Sequence, residues 1–340
     1  MKTLHIRIVS PALADANNGN WQSAKRWAHF LRTRYRVTLA KAWPDQDSNQ
    51  DAAAPDLLIA LHARRSSTSL AAFTLAYPRR PTLLLLTGTD LYRDIQSDAA
   101  AQAALTSADA LVLLQPEGLA ELAPALHSKT NVIYQSAATL KASALPRRFF
   151  DVCMIGHLRA EKDPATFMHA SALIKTTAVR MIHIGAALDP TLGALAQTTE
   201  AANPRYRWLG RLPHAATRQR LKRCHLMAIS SSMEGGANVI IEAVTSGVAV
   251  VASDIKGNRG MLGDDYAGYF PQGDAGALAA LIERCVHDAQ FLELLQNQCA
   301  ARAALFAPEA EQTALLQLVD NLLQSQRQAI TQPTGQMENT

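Results

Sequence analysis

Residues 230–243 read Ser-Ser-Ser-Met-Glu-Gly-Gly-Ala-Asn-Val-Ile-Ile-Glu-Ala, and no other segment of this 340-residue chain says more about its architecture. The apolar run that leads into the serines predicts a buried strand, and the pattern from Asn238 onward predicts a helix. Glycines between the two let the main chain approach a ligand closely, and the first N–H groups of a helix have no intrahelical partners. The segment is therefore typical of a strand–turn–helix unit that binds an anion at the turn.

Two carboxylates flank this turn, Glu234 in the loop and Glu242 on the helix, with seven residues between them. A phosphate does not need them, whereas sugar hydroxyls are held well by charge-assisted hydrogen bonds to carboxylates. A second segment, Gly156 to Pro164, follows a predicted strand and carries basic side chains that can reach a diphosphate. For residues 230–243 the alternative interpretation is an ordinary helix with an acidic face. For Gly156 to Pro164 the alternative is a charged surface loop.

Short apolar runs alternate with helical patterns along the whole chain. The predicted strands are Leu4–Ser10, Arg36–Ala40, Leu57–Leu61, Thr82–Leu86, Leu111–Leu114, Val132–Gln135, Asp151–Ile155, Val179–Ile184, Tyr206–Leu209, Leu226–Ser230 and Val248–Ala252. The predicted helices include 21–31, Asp98–Ala108, Glu117–Leu126 and a long helical stretch from Ala275 to Gln328. Such alternation predicts parallel sheets covered on both faces, with ligands beyond the carboxyl ends of the strands.

The pattern breaks once, at Pro146-Arg147-Arg148, which we interpret as a linker. We therefore predict an α/β fold with two facing Rossmann-like, doubly wound domains and a cleft between them. The first domain is placed at residues 1–148 and the second at 149–305. Residues 306–330 are predicted as a helix that packs back on the first domain, and residues 331–340 as a disordered tail.

Composition and charge argue against a nucleic-acid-binding protein. The chain is 48% hydrophobic and 18% charged, and its net charge of +4, from 33 basic and 29 acidic residues, is too mild for a nucleic-acid binder. Residues 1–150 carry 17 basic and 11 acidic residues, so this half is net +6, which indicates either an anionic partner or a solvated basic surface.

Targeting and redox signals are missing from the sequence. No apolar run approaches the roughly 20 residues of a transmembrane helix, and Arg7 interrupts what a signal peptide would need as an apolar core. The four cysteines share no CxxC spacing, which argues against a disulfide framework or a zinc site. A cytoplasmic protein is expected.

Three separated segments resemble the nucleotide-sugar half of family 4 retaining glycosyltransferases, which have the GT-B fold. They are Gly156-His157-Leu158-Arg159-Ala160-Glu161-Lys162, Tyr206-Arg207-Trp208-Leu209-Gly210 and Glu234-x7-Glu242. The resemblance implies that Glu242 holds the ribose hydroxyls of a UDP-sugar and that Glu234 holds its sugar. It also implies that Lys162 and the amides of Gly236, Ala237 and Asn238 hold the diphosphate. The loop at Arg211 and Leu212 would present backbone atoms to the uracil. His157 stands where the family usually has arginine, and an arginine follows at Arg159.

Segments of the first half narrow the resemblance. Leu61–Ser66 and Leu86–Ile95, together with Gly156–Pro164, Glu234–Ala243 and Gly263–Pro271, look like the selenosugar synthases of selenoneine biosynthesis. That resemblance implies transfer of N-acetylglucosamine, or glucose, from its UDP donor to selenophosphate, with formation of a C–Se bond. It implies neither a metal nor another cofactor, and it suggests a link to an enzyme that produces selenophosphate.

An anionic acceptor such as selenophosphate needs positive charge and hydrogen-bond donors rather than a strong general base. The alternative is a family 4 enzyme that glycosylates a hydroxyl of a cell-envelope or small-molecule acceptor, for which helix 21–35 is a candidate membrane-binding surface. A catalytically silent nucleotide-sugar sensor is a third alternative.

The predicted catalytic residues are His62, Lys162 and Glu234. The predicted donor-binding residues are His157, Arg159, Lys162, Leu212, Glu234, Gly235, Gly236, Ala237, Asn238, Val239 and Glu242. The predicted acceptor-binding residues are Gly19, Asn20, His62, Arg64, Arg65, Thr89, Asp90 and Arg93. For Asp90, which fits poorly beside an anion, a structural role as hydrogen-bond acceptor or a contact to a donor-sugar hydroxyl is the alternative.

Overall fold

The computed structural model describes residues 3–13, 19–45, 54–141 and 143–331. The predicted tail, residues 331–340, lies outside this part of the chain except for residue 331. The chain divides into two compact units, one formed by Met1–Tyr134 with Glu309–Thr340 and the other by Gln135–Pro308. The expected boundary after residue 148 therefore falls inside the second unit.

Helices and strands alternate through both units. The described strands are β1 (His5–Val9), β2 (Arg36–Ala40), β3 (Leu57–Leu61), β4 (Thr82–Leu85), β5 (Ala110–Leu113), β6 (Thr130–Val132), β7 (Phe150–Ile155), β8 (Val179–Ile184), β9 (Tyr206–Trp208), β10 (Leu226–Ile229), β11 (Ala249–Ser253) and β12 (Tyr269–Phe270). The described α-helices are α1 (Gly19–Leu31), α2 (Ser67–Ala76), α3 (Ile95–Ser97), α4 (Ala99–Ser107), α5 (Pro164–Leu173), α6 (Pro190–Ala202), α7 (His214–Leu221), α8 (Asn238–Val244), α9 (Lys256–Leu262), α10 (Ala275–His287), α11 (Ala289–Arg302) and α12 (Pro308–Thr331).

The first unit is built on a parallel six-stranded sheet with the order β2-β1-β3-β4-β5-β6. The strand order reverses between β1 and β3, and in open α/β sheets ligands bind beyond the carboxyl ends of the strands at such a point. Helices cover both faces of the sheet: Trp27 and Leu315 belong to the core on one face, Phe73 and Ala104 to the core on the other. Coverage on both faces explains why β1, β3, β4 and β5 are buried along their whole length.

The last helix, α12, belongs to the first unit and packs against α1. The buried Glu311 carboxylate accepts hydrogen bonds from Trp27 Nε1 at 2.8 Å and from Arg26 Nε at 2.7 Å. Further along, Asp320 pairs with Arg34 at 2.6 Å. Since Trp27 lies fully buried under α12, the apolar face of α1 is used in the core and is not a free surface for a membrane.

The second unit also contains a parallel six-stranded sheet, with the order β12-β11-β10-β7-β8-β9. Numbered from its own first strand, this is the order 3-2-1-4-5-6 of a dinucleotide-binding fold, and it reverses between β7 and β10. The segments that follow β7 and β10 carry the predicted donor-binding residues except Leu212, which follows β9. Both predicted doubly wound sheets are confirmed.

Some predicted elements differ from the observed ones. The helix expected at Glu117–Leu126 is two 3-10 segments, Pro116–Glu121 and Pro124–Lys129. Pro124 lacks the N–H that an α-helix needs and restricts the residue before it, so the helix cannot run through. The long helical stretch from Ala275 is three helices, α10 to α12. Within the described residues, no helix combines the length and the apolarity needed to cross a bilayer.

Candidate active site

Two loops lie side by side at the switch point of the second unit, one after β7 and one after β10. Ser232 N donates to Glu161 O at 3.0 Å, and the Ser230 hydroxyl donates to Asp163 O at 2.8 Å. Gly257 of α9 closes the second loop from behind, because a Cβ at this position would lie 1.9 Å from Glu234 O. Backbone contacts therefore hold the two predicted donor segments in a fixed arrangement.

Lys162 and Glu234 are the central pair of this site. Lys162 Nζ lies 2.5 Å from Glu234 Oε1, and the Ser231 hydroxyl donates to the same oxygen at 2.7 Å. Only 16% of the Lys162 side chain and 9% of the Glu234 side chain are exposed. Limited water makes the attraction stronger than at a surface, so the pair fixes both side chains. The two residues that the sequence predicted to act on diphosphate and sugar are thus in direct contact.

Further positive charge surrounds His157. Ala186 N donates to His157 Nδ1 at 3.0 Å, so a neutral ring carries its proton on Nε2. Burial lowers the pKa of His157, and the nearby charges of Arg159, Arg211 and Lys162 lower it further. The histidine therefore offers an uncharged N–H donor where the family has an arginine, while Arg159 and Arg211 are exposed cations. Arg211 was predicted only for its backbone, and its charge was missed.

Glu242 is held by a residue that the sequence did not single out. His214 Nε2 donates to Glu242 Oε1 at 2.6 Å, and the His214 side chain is 46% exposed. On the inner side, Arg218 donates to Thr245 Oγ1 at 3.2 Å and to Ala138 O at 2.9 Å. Burial lowers the pKa of Arg218 and the charge of Glu242 opposes this shift. The carboxylate therefore lies between an exposed imidazole and a buried guanidinium.

The turn between Glu234 and α8 leaves backbone donors free. Among the described residues, the N–H groups of Gly236, Ala237 and Asn238 donate no hydrogen bond, although Ala237 O accepts from Ile240 N. Gly235, Val239 and Leu212, the remaining predicted donor residues, lie buried or half-buried in the same unit. The free amides begin two residues after Glu234 and are compatible with binding an anion beside Lys162.

His183 positions the loop after β7 from below. Its Nε2–H donates to Gly156 O at 3.1 Å, and the Tyr206 hydroxyl donates to its Nδ1 at 2.9 Å. Gly185 approaches the same carbonyl so closely that a Cβ would lie 1.9 Å from it. Burial lowers the pKa of His183 to about 4, so the ring is neutral at physiological pH. The carbonyl that precedes His157 is therefore fixed by a hydrogen bond from His183, whose side chain is fully buried.

The buried His183 ring predicts that the stability of the protein depends on pH. Because the pKa of His183 falls from about 6.5 unfolded to about 4 folded, stability is complete above pH 6.5 and is lost as pH falls toward 4. The loss from this residue between pH 7 and pH 5 is about 2 kcal/mol. Urea unfolding at both pH values measures it. In the His183→Gln variant, the free energy of unfolding should differ less between pH 7 and pH 5, by this amount. An unchanged difference would contradict the assignment of the lowered pKa to His183.

His62 is the centre of the predicted site of the first unit and follows β3 directly. Its φ of +74° is rare for a residue with a side chain, and such conformations often occur at functional sites. Arg65 N donates to Nδ1 at 3.4 Å, and Nε2–H donates to Thr89 Oγ1 at 3.1 Å. Burial lowers the pKa of His62, against the charges of Asp90 and Asp94. Both ring nitrogens are thus engaged within the protein.

Asp90 joins the loops that follow β3 and β4. One oxygen accepts from Ala63 N at 2.9 Å, and the other accepts from the N–H groups of Thr87 and Gly88, each at 2.9 Å, and from the Thr87 hydroxyl at 3.2 Å. The residue is fully buried and begins a π-helical segment, Asp90–Asp94. Four protein donors already occupy the carboxylate, which corresponds to the structural alternative considered for Asp90.

Asp94, which the sequence analysis missed, orients two of the predicted arginines. Its carboxylate accepts from Arg64 Nε at 3.0 Å and from Arg93 Nε at 3.2 Å, and the residue is 5% exposed. The two arginine side chains are about half exposed, at 44% and 49%. Arg65 is exposed nearby, and its guanidinium has no partner among the described residues. The cluster therefore presents guanidinium groups to solvent from a buried acidic anchor.

Gly19 and Asn20 begin α1, the helix that follows β1. Since β1, β3 and β4 are neighbours in a parallel sheet, their carboxyl ends lie along the same side of it. All the predicted acceptor residues follow these three carboxyl ends. Within the described residues, no group of three or more His, Cys, Asp or Glu side chains is arranged to hold a metal ion.

Comparison with known proteins identifies the class. The sequence model of the family described as "Glycosyl transferases group 1" matches residues 137–327. Sucrose-phosphate synthase from Thermosynechococcus elongatus superposes with a TM-score of 0.75 at 17% identity, covering 95% of this chain and 100% of that one. Anabaena HepE, solved with UDP and glucose, superposes with a TM-score of 0.72 at 18% identity, covering 94% and 99%.

A third solved structure is the pneumococcal O-GlcNAc transferase GtfA with UDP and GlcNAc, with a TM-score of 0.63 at 16% identity, covering 78% of this chain and 57% of that one. No curated protein matches the sequence. Two Rossmann-like units with these neighbours define the GT-B fold of glycosyltransferases. By the family match, which spans more than half of its length, the chain belongs to the group 1 glycosyl transferases.

Proposed function

We propose that this chain transfers a sugar, N-acetylglucosamine or glucose, from its UDP donor. The observation that carries the proposal is the Lys162–Glu234 pair at the β7/β10 switch point, with His157, Arg159 and Arg211 around it. The printed ligands of two neighbours support the donor class, since HepE was solved with UDP-glucose and GtfA with UDP and GlcNAc.

The donor chemistry follows from these groups. Negative charge develops on the diphosphate as the bond between the anomeric carbon and the leaving oxygen breaks. Lys162, the Nε2–H of His157 and the free amides of Gly236 to Asn238 are preorganised donors for this charge, each contributing on the order of 3 kcal/mol. When phosphate takes over Lys162, the Glu234 carboxylate becomes available to sugar hydroxyls. Glu242, already hydrogen-bonded to His214, suits the ribose hydroxyls.

For the acceptor, we propose selenophosphate, as the resemblance to selenosugar synthases implies. Its selenium attacks the anomeric carbon, a C–Se bond forms, and UDP leaves with the electron pair of the C–O bond. Hydrolysis of the Se–P bond, in which water supplies the oxygen to phosphorus and a proton to selenium, later releases phosphate and leaves a selenol sugar. Both nitrogens of His62 are engaged, so it offers no free lone pair for deprotonating a hydroxyl. Exposed guanidinium groups at Arg64, Arg65 and Arg93 favour an acceptor that is already anionic.

The test is an anaerobic incubation of the pure protein with UDP-N-acetylglucosamine and selenophosphate in the presence of EDTA, followed by mass spectrometry. We expect UDP and a selenium-containing sugar as products. Arg64→Ala should raise the KM for selenophosphate at least tenfold and leave UDP affinity unchanged, because it removes one charged hydrogen-bond donor. Arg79→Ala, which removes an exposed arginine elsewhere in the first unit, is the matched control.

The outcomes separate the two levels of the proposal. UDP-sugar binding without any selenium product would remove the selenophosphate assignment and leave the donor assignment standing. Transfer to a hydroxyl acceptor in its place would support the family 4 O-glycosyltransferase alternative. Absence of UDP-sugar binding would contradict both levels.

A further inference from the structure

An arginine-lined groove lies in the second unit, apart from the donor loops. Its volume is about 480 Å³, which is in the range of small-molecule sites. It is lined along β8 and β9, and none of residues 156–163 or 230–242 contributes to it. Strand alternation and the pairing of Ile182 with Arg207 place Arg180, Ile182 and Arg207 on one face of the sheet. The groove therefore opens on a sheet face and not on the switch point.

Four arginines line the groove, and only one of them has a carboxylate partner among the described residues. Arg180 forms a bidentate pair with the buried Asp151, with both distances 2.7 Å. Among the described residues, the Arg205 guanidinium donates only to the carbonyl oxygens of Thr176 and Lys175, at 3.3 and 3.4 Å. These carbonyl oxygens are neutral, so no carboxylate among the described residues neutralises the Arg205 guanidinium at the groove wall.

The other two guanidinium groups have weaker contacts. Arg207 is exposed and makes one 3.5 Å contact to the carbonyl of Tyr206. In the described part of the chain, the Arg220 side chain has no hydrogen bond, and its Nε is buried without a partner. A guanidinium nitrogen withdrawn from water without an acceptor is costly. Three uncompensated charges on one small groove are best satisfied by an anion with several oxygen atoms.

Apolar side chains form the rest of the lining. Phe149, Val179, Ile182 and Leu209 contribute carbon surface, and Arg180 stacks over the Phe149 ring at 4.4 Å. Leu209 is 41% exposed. A purely inorganic anion would leave this surface in water, whereas an ester with an apolar substituent would cover it.

We propose that this groove binds a phosphate ester that carries an apolar substituent. The phosphate lies against Arg205, Arg207 and Arg220, because planar guanidinium groups match phosphate oxygens in a bidentate manner. The substituent packs on Phe149 and Leu209. The same chemistry occurs in a free small-molecule ester and in the headgroup of an anionic lipid, and the experiment distinguishes these two sources.

The first arm uses dihexanoyl phosphatidic acid below its micellar concentration, titrated calorimetrically into the full chain. Arg207→Ala and Arg220→Ala should each weaken its binding about tenfold or more, the effect of one lost charge-assisted contact. Arg223→Ala, an exposed arginine next to α7 that does not line the groove, should bind normally. Inorganic phosphate should bind more weakly than the ester, and Leu209→Ala should remove that difference.

The second arm measures cosedimentation with phosphatidylcholine vesicles that contain phosphatidic acid, against pure phosphatidylcholine vesicles. Binding of the monomeric ester that needs Arg207 and Arg220 identifies a small-molecule site. Vesicle binding alone with the same dependence identifies a lipid headgroup site. Binding of neither probe, binding that survives both substitutions, or binding that is lost in Lys162→Ala would overturn the proposal, the last because it would place the ester at the donor loops.

Discussion

Lys162→Ala should lower kcat/KM for the UDP-sugar by about a thousandfold, which corresponds to about 4 kcal/mol of transition-state stabilisation. The ammonium lies at the switch point, is only 16% exposed and already binds a carboxylate at 2.5 Å. A diphosphate that becomes more negative as the bond breaks gains more from this charge than the bound ground state does. The substitution therefore lowers kcat as well as affinity.

Turnover is measured as UDP release, and UDP affinity by calorimetry. Lys175→Ala is the matched control, because Lys175 is an exposed lysine of the same unit and its side chain is outside the donor loops. Lys162→Ala also leaves the Glu234 carboxylate buried without its partner, so the melting temperature is recorded in parallel. Unchanged UDP affinity in a folded Lys162→Ala variant would mean that the diphosphate binds elsewhere.

The ion pair gives the candidate site a defined arrangement of side chains. Glu234 holds Lys162 where phosphate would bind, and Ser231 holds Glu234. In the proposed function the donor diphosphate replaces Glu234 as the anionic partner of Lys162, whose side chain is already ordered before the donor binds. His183 serves the same preorganisation by fixing the carbonyl of Gly156. The two loops are thus prepared before the ligand arrives.

Much of the fold could be predicted because parallel strands covered on both faces are short continuous apolar runs. Strands such as Leu57–Leu61 and Val179–Ile184 were predicted with their observed bounds. The helix predicted at Glu117–Leu126 is wrong because Pro124 interrupts it and begins a separate 3-10 segment. The two-residue strand β12 was missed, since two residues are too short to show a period.

The candidate site divides in the same way. Glu234 and Glu242 lie in one continuous segment and Lys162 in another. In each segment the glycines and the residue spacing can be recognised from the local sequence. Contacts between distant segments left no such signal. His214 reaches Glu242 across 28 residues, and Asp94 reaches Arg64 across 30. The adjacent Arg93 was a clue at Asp94, but only the fold shows that the carboxylate also anchors Arg64.

Asp90→Ala should lower the free energy of unfolding of the first unit by about 3–5 kcal/mol, the range for removing one partner of a buried charged network. Four donors from two loops lose their acceptor, and three of them are backbone N–H groups that the surrounding structure keeps from water. Asp98→Ala is the matched control. Asp98 is a carboxylate of the same unit that caps α4 with one hydrogen bond to Ala101 N at 2.8 Å, and its loss should cost about 1 kcal/mol.

Tryptophan fluorescence during urea unfolding reports mainly on this unit, because Trp21, Trp27 and Trp43 belong to it and only Trp208 belongs to the other. Asp90→Asn keeps the shape of the side chain but turns one acceptor oxygen into a donor, so its loss should fall between the other two variants. A loss for Asp90→Ala no larger than that for Asp98→Ala would contradict the structural role. Asp90 would then be free for a substrate. A larger loss of unfolding free energy for Asp90→Ala than for Asp98→Ala would mean that Asp90 holds together the loops that carry His62 and Thr89. Any effect of Asp90→Ala on the KM for the acceptor would then follow from displacement of these two loops.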